Sequence, residues 1–89
     1  MAHYEDGLQL LSNMAAVDKK RLDRELAKDL PITLMLLDGT KIILTIKDIE
    51  FLGELIEEMG RKVAWRVWRG YAQRAASFGL SIAQVEEIS

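Results

Sequence analysis

Few side chains in this sequence are suited to proton transfer or to metal binding. His3 is the single histidine and lies near the amino end, where we expect an unordered segment and no catalytic base. The chain has no cysteine, which removes disulfides, thiolate metal sites and cysteine nucleophiles together. The serines have no neighbouring base and no glycine-rich elbow. The sequence therefore predicts that the protein is not an enzyme and uses no cofactor and no metal.

Four carboxylates follow one another at helical spacing in the second half of the chain, namely Glu50, Glu54, Glu57 and Glu58. Paired carboxylates can bind a cation or act as acid and base, but a metal site also needs ligands from a second element, and the sequence identifies none. Glu57 has a favourable partner one turn further on in Arg61, as solvent-exposed helix surfaces do. We interpret the four glutamates as a solvated helix face.

Residues 61–74 combine five basic residues with three aromatic residues and contain no acidic residue. On a helix the apolar side chains of this stretch cover an arc of about 200°, wider than one packing partner normally covers. The opposite stripe carries three cations, Lys62, Arg66 and Arg69, and phosphate binding takes several simultaneous cation contacts. We predict that the tryptophans are buried in a core or an interface, and that the protein binds neither nucleic acid nor membrane.

The elements that must position these side chains form an α+β fold. Between Glu5 and Lys28 apolar residues recur at spacings of three, four and seven, which indicates an amphipathic helix. Asp18 interrupts this pattern and can cap a second segment, so the sequence leaves open whether there is one N-terminal helix or two. Pro31 then ends helical structure.

A β-hairpin is the strongest local signal and spans about residues 32–46. Two β-rich apolar runs flank Asp38-Gly39, a pair that adopts the positive φ angles of a two-residue turn. With that turn, one face of the hairpin carries Ile32, Leu34, Leu36 and Ile43. The other face carries Met35, Leu37, Ile42 and Leu44. Because two strands with two apolar faces make a marginal sheet, we expect extra strands from another copy or extensive helical cover.

After the hairpin the sequence predicts one long amphipathic helix over about residues 49–78. Asp48 is a good N-cap, and apolar residues keep helical phase as far as Phe78. Gly60 costs about 1 kcal/mol inside a helix, but the unbroken periodicity favours continuity. Gly79 then provides a C-terminal cap.

A short C-terminal helix is predicted over residues 82–88. Ser81 and Gln84 have the spacing of a capping box. A helix this short is not stable alone and must dock through its apolar side chains. These are Ile82, Val85 and Ile88.

The whole chain, residues 1–89, is predicted to form a single domain. Its length is near the lower limit for independent folding, and its 49% apolar content exceeds that of disordered chains. The net charge of −2 gives no long-range attraction for nucleic acid or anionic lipid. The acidic start lacks a signal-peptide pattern, so we expect a location in the cytoplasm of a host cell or in a virion.

The apolar hairpin faces and the wide apolar arc exceed what a chain of 89 residues can cover. We therefore predict a homo-oligomer, a dimer in the simplest case, that also binds another protein. The predicted interface consists of Leu37, Ile42, Leu44, Trp65, Trp68 and Tyr71.

Several short segments between residues 38 and 88 follow one another in an order that resembles a known domain. They are Asp38-Gly39-Thr40, Leu44-Thr45-Ile46-Lys47-Asp48-Ile49, Leu52 and Ile82-Ala83-Gln84-Val85-Glu86-Glu87-Ile88. In this order they resemble an uncharacterised domain at the C-terminal end of bacteriophage tail-fibre and tail-assembly proteins. The resemblance implies a phage protein that acts in virion structure or assembly through protein contacts, and it transfers no catalytic residue.

Two functions stay open on this basis. The first is a non-enzymatic protein-interaction or assembly module, phage-encoded and oligomeric. The alternative is a small inhibitor from a phage or mobile element. It would bind a host defence or nucleic-acid-processing protein through the acidic face of Glu50, Glu54, Glu57 and Glu58.

Overall fold

A computed structural model describes the backbone of residues 2–88 and the side chains of residues 3–85. Within this range five helices and a two-stranded antiparallel sheet follow in the order α1 (Ala2–Ala15), α2 (Lys19–Leu26), β1 (Ile32–Met35), β2 (Lys41–Leu44), α3 (Ile46–Met59), α4 (Arg61–Ser77) and α5 (Ile82–Ile88). The predicted α+β class is confirmed, with the hairpin and the C-terminal helix in their predicted places. None of the described helices is long and apolar enough to cross a membrane.

The N-terminal region forms two helices, which decides the question that the sequence left open. α1 ends at Ala15, and Ala16 has a positive φ of 51°. Asp18 caps α2, since its carboxylate accepts a hydrogen bond from the backbone N–H of Lys20. His3 belongs to α1, so the expectation of an unordered end at this position is wrong.

α1 and α3 pack with their backbones unusually close. A Cβ atom on Gly7 would collide with the carbonyl oxygen of Ile49, and a Cβ atom on Gly53 would collide with the backbone of His3. Glycine is therefore the residue that lets these two helices approach at their crossing. The contact between α1 and α3 is the most extensive one between elements of the fold.

The hairpin pairs one residue out of the predicted register. Leu34 lies opposite Ile42, and the backbone N–H of Leu36 donates a 2.8 Å hydrogen bond to the carbonyl oxygen of Thr40. The loop therefore contains three residues, 37–39, where the sequence predicted a two-residue turn. A shift of one residue moves side chains of a strand to the opposite face of the sheet.

This register gives the hairpin one buried and one open face, so the prediction of two apolar faces is wrong. The inner face consists of Ile32, Leu34, Ile42 and Leu44. The outer face consists of Thr33, Met35, Lys41 and Ile43. Helical cover on the inner face comes mainly from α4, which packs against β2.

The predicted continuous helix over residues 49–78 is wrong, because the chain turns sharply inside it. α3 ends at Met59 and α4 begins at Arg61, since Gly60 between them has φ 83° and ψ 163°, far from helical values. Gly79, with φ 69°, follows the end of α4 as predicted. α3 and α4 thus pack against each other as separate helices.

The buried face of α4 is formed mostly by small residues. It consists of Ala64, Trp68, Ala72 and Ala75, all 0% exposed. The larger apolar residues on the adjacent flank are Val63, Val67 and Tyr71, which are between 37% and 47% exposed. The alanines let α4 approach the sheet and α3 closely, while the valines face outward.

The C-terminal helix α5 is capped and docked as predicted. The backbone N–H of Ser81 donates a 2.9 Å hydrogen bond to Oε1 of Gln84, and the N–H of Gln84 donates to Oγ of Ser81. Ile82 is buried, and Val85 packs against the core. The side chain of Ile88, the third predicted docking residue, lies outside the described range.

Candidate functional site

Asp48 is a buried carboxylate at the point where three helices meet, and its residue is 1% exposed. Its Oδ2 accepts a 2.8 Å hydrogen bond from the backbone N–H of Thr45, which makes Thr45 the N-cap of α3 and Asp48 the acidic member of a capping box. Its Oδ1 accepts a 2.7 Å hydrogen bond from the N–H of Ala83 in α5. Its carbonyl oxygen accepts from Nε1 of Trp68 in α4 at 2.8 Å. The predicted N-cap role of Asp48 is therefore corrected, because α3 begins earlier, at Ile46.

The environment of Asp48 has opposing effects on its ionisation. Burial raises the pKa of the carboxyl group, while hydrogen bonds from the backbone at Thr45, Ala83 and Ile82 act to lower it. Both carboxylate oxygens have hydrogen-bond partners and the residue has almost no exposed surface. The arrangement is suited to holding the ends of α3 and α5 together.

The four glutamates of the predicted acidic face lie on α3 in different surroundings. Oε2 of Glu57 is 2.8 Å from Nε2 of His3, so this carboxylate contacts α1. Glu50 is partly buried, whereas Glu54 and Glu58 are exposed. Among the described residues no three histidine, aspartate or glutamate side chains come together as a metal site would need.

Half of the predicted interface lies inside the chain itself. Ile42, Leu44 and Trp68 are 0% exposed and belong to the hydrophobic core, so they are not on the surface of the folded chain. Trp65 is partly buried and stacks on Trp68, with ring centroids 5.6 Å apart and an interplanar angle of 25°. The predicted burial of the tryptophans therefore arises from packing within one chain.

The other two predicted interface residues are exposed, on two separate elements. Leu37 lies in the hairpin loop, where its backbone N–H donates a 2.9 Å hydrogen bond to the carbonyl oxygen of Met14 and its side chain points outward. Tyr71 lies on α4 and makes an edge-to-face contact with Phe51, with centroids 5.7 Å apart. These two residues define two candidate surfaces, one on the hairpin and one on α4.

The hairpin surface contains an edge strand with free backbone groups. Within residues 2–88, β1 pairs only with β2. In an antiparallel pair, residues whose backbone groups bond to the partner strand alternate with residues whose backbone groups point away from it. Leu36 bonds to Thr40 on the β2 side. The backbone N–H and C=O groups of Thr33 and Met35 therefore point away from β2. Leu30, Met35 and Leu37 are 64%, 54% and 70% exposed. We call Leu30, Thr33, Met35 and Leu37 the β1 edge.

A groove of about 510 Å³ runs between α1 and α4. Its apolar lining residues are Leu10, Met14 and Trp65, and its cations are Arg61, Lys62, Arg66 and Arg69. Gly70 and Gln73 also line it, and none of the described lining residues is acidic. We call this feature the α1–α4 groove. The sequence predicted the basic stripe but not the apolar wall that α1 places beside it.

Among the side chains that the structure describes, Arg69 is the one groove cation that forms an ion pair within the chain. Its guanidinium pairs with the carboxylate of Asp38, and its Nη2 donates a 3.2 Å hydrogen bond to Oγ1 of Thr40. Asp38 also accepts from the backbone N–H of Thr40 at 2.9 Å, so the arginine is fixed to the hairpin loop. This contact joins residues far apart in sequence, and no local pattern indicated it.

Comparison of the chain with protein-family models, with curated proteins and with solved structures finds no match. The resemblance to the domain of phage tail proteins therefore stays a prediction from the segments between Asp38 and Ile88.

Proposed function

We propose that this chain is a protein-interaction module, not an enzyme, and that it pairs with a second copy through the β1 edge. The observation that carries the proposal is the unpaired outer side of β1, flanked by three strongly exposed apolar side chains. A strand edge of this kind is a template for pairing with another chain.

The composition of β1 supports pairing. The strand reads Ile32-Thr33-Leu34-Met35 and carries no charge, although edge strands of monomers are commonly protected by lysine, by bulges or by proline within the strand. Pro31 precedes the strand and leaves the outward N–H groups of Thr33 and Met35 intact. A sheet of only two strands is also marginal in water.

Antiparallel pairing of β1 with β1 of a second copy gives a four-stranded sheet with twofold symmetry. Such an interface uses the same surface on both copies, so it closes after two chains. With the twofold axis at Leu34, Thr33 of each copy would lie opposite Met35 of the other copy, and the inner faces of the two hairpins would continue each other. An assembly role in a phage particle, which the resemblance implies, is one setting for such a module.

The test is the molar mass in solution, measured by light scattering or sedimentation at micromolar concentration. We expect the wild-type chain to have twice the mass of one chain, and Met35→Lys to have the mass of one. Met35 is exposed in the single chain, so the lysine leaves the fold intact while it places two like charges in the paired edge.

The matched control is Val63→Lys, the same kind of change at an exposed residue of α4. This variant should remain dimeric, and circular dichroism should give the same helix signal for all three proteins. A monomeric wild type, or a Met35→Lys variant that stays dimeric while Val63→Lys dissociates, would contradict pairing through the β1 edge.

A further inference from the structure

We propose that the α1–α4 groove binds an acidic peptide segment of a partner protein, with an apolar side chain of that segment seated on Leu10, Met14 and Trp65. This inference goes beyond self-pairing, because the groove and the β1 edge use different residues. It commits to a partner whose charge is complementary to the groove.

The break at Gly60 explains why the cations of the groove lack the ion pairs that a continuous helix would give them. A continuous helix would place Glu57 one turn from Arg61 and Glu58 one turn from Lys62, as favourable ion pairs. The break puts the two glutamates on α3, and Glu57 contacts His3 instead. Among the described side chains none forms an ion pair with Arg61, Lys62 or Arg66.

The apolar wall makes the groove more than a basic surface. Leu10 and Met14 come from α1, and Trp65, which stacks on Trp68, comes from α4. The volume of about 510 Å³ is within the range of ligand sites and accommodates an apolar side chain with flanking backbone. A flexible methionine adapts to different apolar partners, as in other peptide-binding surfaces.

Carboxylates are the groups that best match the rim of the groove. Arginine binds a carboxylate through two parallel hydrogen bonds, and Arg61 and Arg66 are both exposed for such contacts. Arg69, fixed by Asp38, forms a rigid end of the site. Acidic residues of the bound segment would therefore meet the cations of α4, while its apolar residue meets Leu10 and Met14 of α1.

Single-stranded nucleic acid fits the groove less well than an acidic peptide. Such binding combines several phosphate contacts with stacking of successive bases on aromatic rings. Trp65 is the one aromatic residue among the described residues that line the groove, and one side of its ring already stacks on Trp68. The aliphatic wall of Leu10 and Met14 suits a leucine or isoleucine side chain better than a base.

The test uses fluorescence anisotropy with a labelled synthetic peptide of Glu-Glu-Leu repeats. We expect saturable binding that weakens with added salt, because the rim contacts are ionic. Two further peptides act as matched controls: Lys-Lys-Leu repeats should not bind, and Glu-Glu-Ala repeats should bind at least about tenfold more weakly, because they lack the apolar anchor.

On the protein side, Arg66→Glu should weaken binding of the Glu-Glu-Leu peptide at least about tenfold. Arg21→Glu, the same charge change at an exposed residue of α2, should leave the affinity unchanged. Met35→Lys should also retain full affinity, which separates this site from the proposed self-pairing.

Three outcomes would overturn the proposal. The first is no saturable binding of the Glu-Glu-Leu peptide. The second is an equal loss of affinity in Arg66→Glu and Arg21→Glu, which would indicate attraction by overall charge. The third is tighter binding of an oligothymidylate than of the peptide, with loss in Arg66→Glu, which would make the groove a nucleic-acid site.

Discussion

The indole Nε1 of Trp68 donates a 2.8 Å hydrogen bond to the carbonyl oxygen of Asp48, and both residues are buried. The bond links the middle of α4 to the first turn of α3. Trp68 is the largest fully buried side chain of the core, and it also stacks on Trp65. It therefore contributes packing and a polar contact at the same point of the fold.

Truncation of Trp68 should be among the most destabilising single changes. Trp68→Ala should lower the free energy of unfolding by about 3–5 kcal/mol, the range for a buried aromatic residue. Trp68→Phe keeps part of the volume but removes the hydrogen bond to the carbonyl oxygen of Asp48, at a cost of about 0.5–1.5 kcal/mol for that bond. Urea unfolding followed by circular dichroism measures both. Trp65→Phe, at a partly exposed position, should cost less than Trp68→Phe, and equal midpoints would contradict this assignment.

The contact of Arg69 with the hairpin loop should be measurable although the pair is partly exposed. We expect Arg69→Ala to lower the free energy of unfolding by about 1 kcal/mol, and Arg66→Ala on the same helix to stay within about 0.5 kcal/mol. In a double-mutant cycle Arg69→Ala and Asp38→Ala should show a coupling energy that decreases with salt. Additive effects of the two changes would show that the ion pair does not stabilise the fold.

The two helical glycines Gly53 and Gly70 should respond oppositely to alanine. Outside the adjacent helix backbone, no described atom lies within 4 Å of a Cβ atom on Gly70, so Gly70→Ala should raise the free energy of unfolding by about 0.5–1 kcal/mol through helix propensity. Gly53→Ala forces α1 and α3 apart and should lower it by about 1–3 kcal/mol. Thermal unfolding of the two variants and of the wild type measures both changes. A shift of the melting temperature in the same direction for both variants would mean that the helix crossing is misassigned.

The buried carboxyl group of Asp48 should give stability a specific pH dependence. Folding raises its pKa above the ordinary value of 3.8, so the folded chain retains this proton where the unfolded chain has lost it. The corresponding contribution to the free energy of unfolding is complete below about pH 3.8 and is lost as the pH rises through the folded pKa.

Asp48→Asn removes this titration while the other acidic groups remain. The stability difference between wild type and Asp48→Asn should therefore become less favourable to wild type as the pH rises from about 4 towards neutrality. Denaturant unfolding of both proteins across this pH range measures the stability difference. A difference that moves in the opposite direction would mean that the hydrogen bonds from Thr45 and Ala83 outweigh burial.

Local signals in the sequence predicted the element types and several of the helix ends. The capping residues act through neighbouring backbone groups, so their roles can be inferred from the sequence. They are Asp18, Gly79 and the pair Ser81 and Gln84. The register of the hairpin is less local. Asp38-Gly39 fits either a two-residue or a three-residue loop, and the choice depends on which face the core covers.

The error at Gly60 has a different origin. The apolar periodicity runs across Gly60 without interruption, and hydropathy gives more weight to Val63 and Val67 than to alanine. The structure buries the alanine side of α4, because small residues allow close helix packing. The α1–α4 groove could not be anticipated for the same reason, since it depends on where α1 lies beside the turned α4.

The position of Asp48 has a consequence for how the folded chain opens. Its carboxylate joins the first turn of α3 to the N–H of Ala83, which is 35 residues away in sequence. When α5 detaches, a buried oxygen loses its partner, so α5 and the beginning of α3 should open as one cooperative unit. In native-state hydrogen exchange the amides of Ala83 and Thr45 should then share one opening free energy. The short C-terminal helix would behave as part of the core and not as a fraying end.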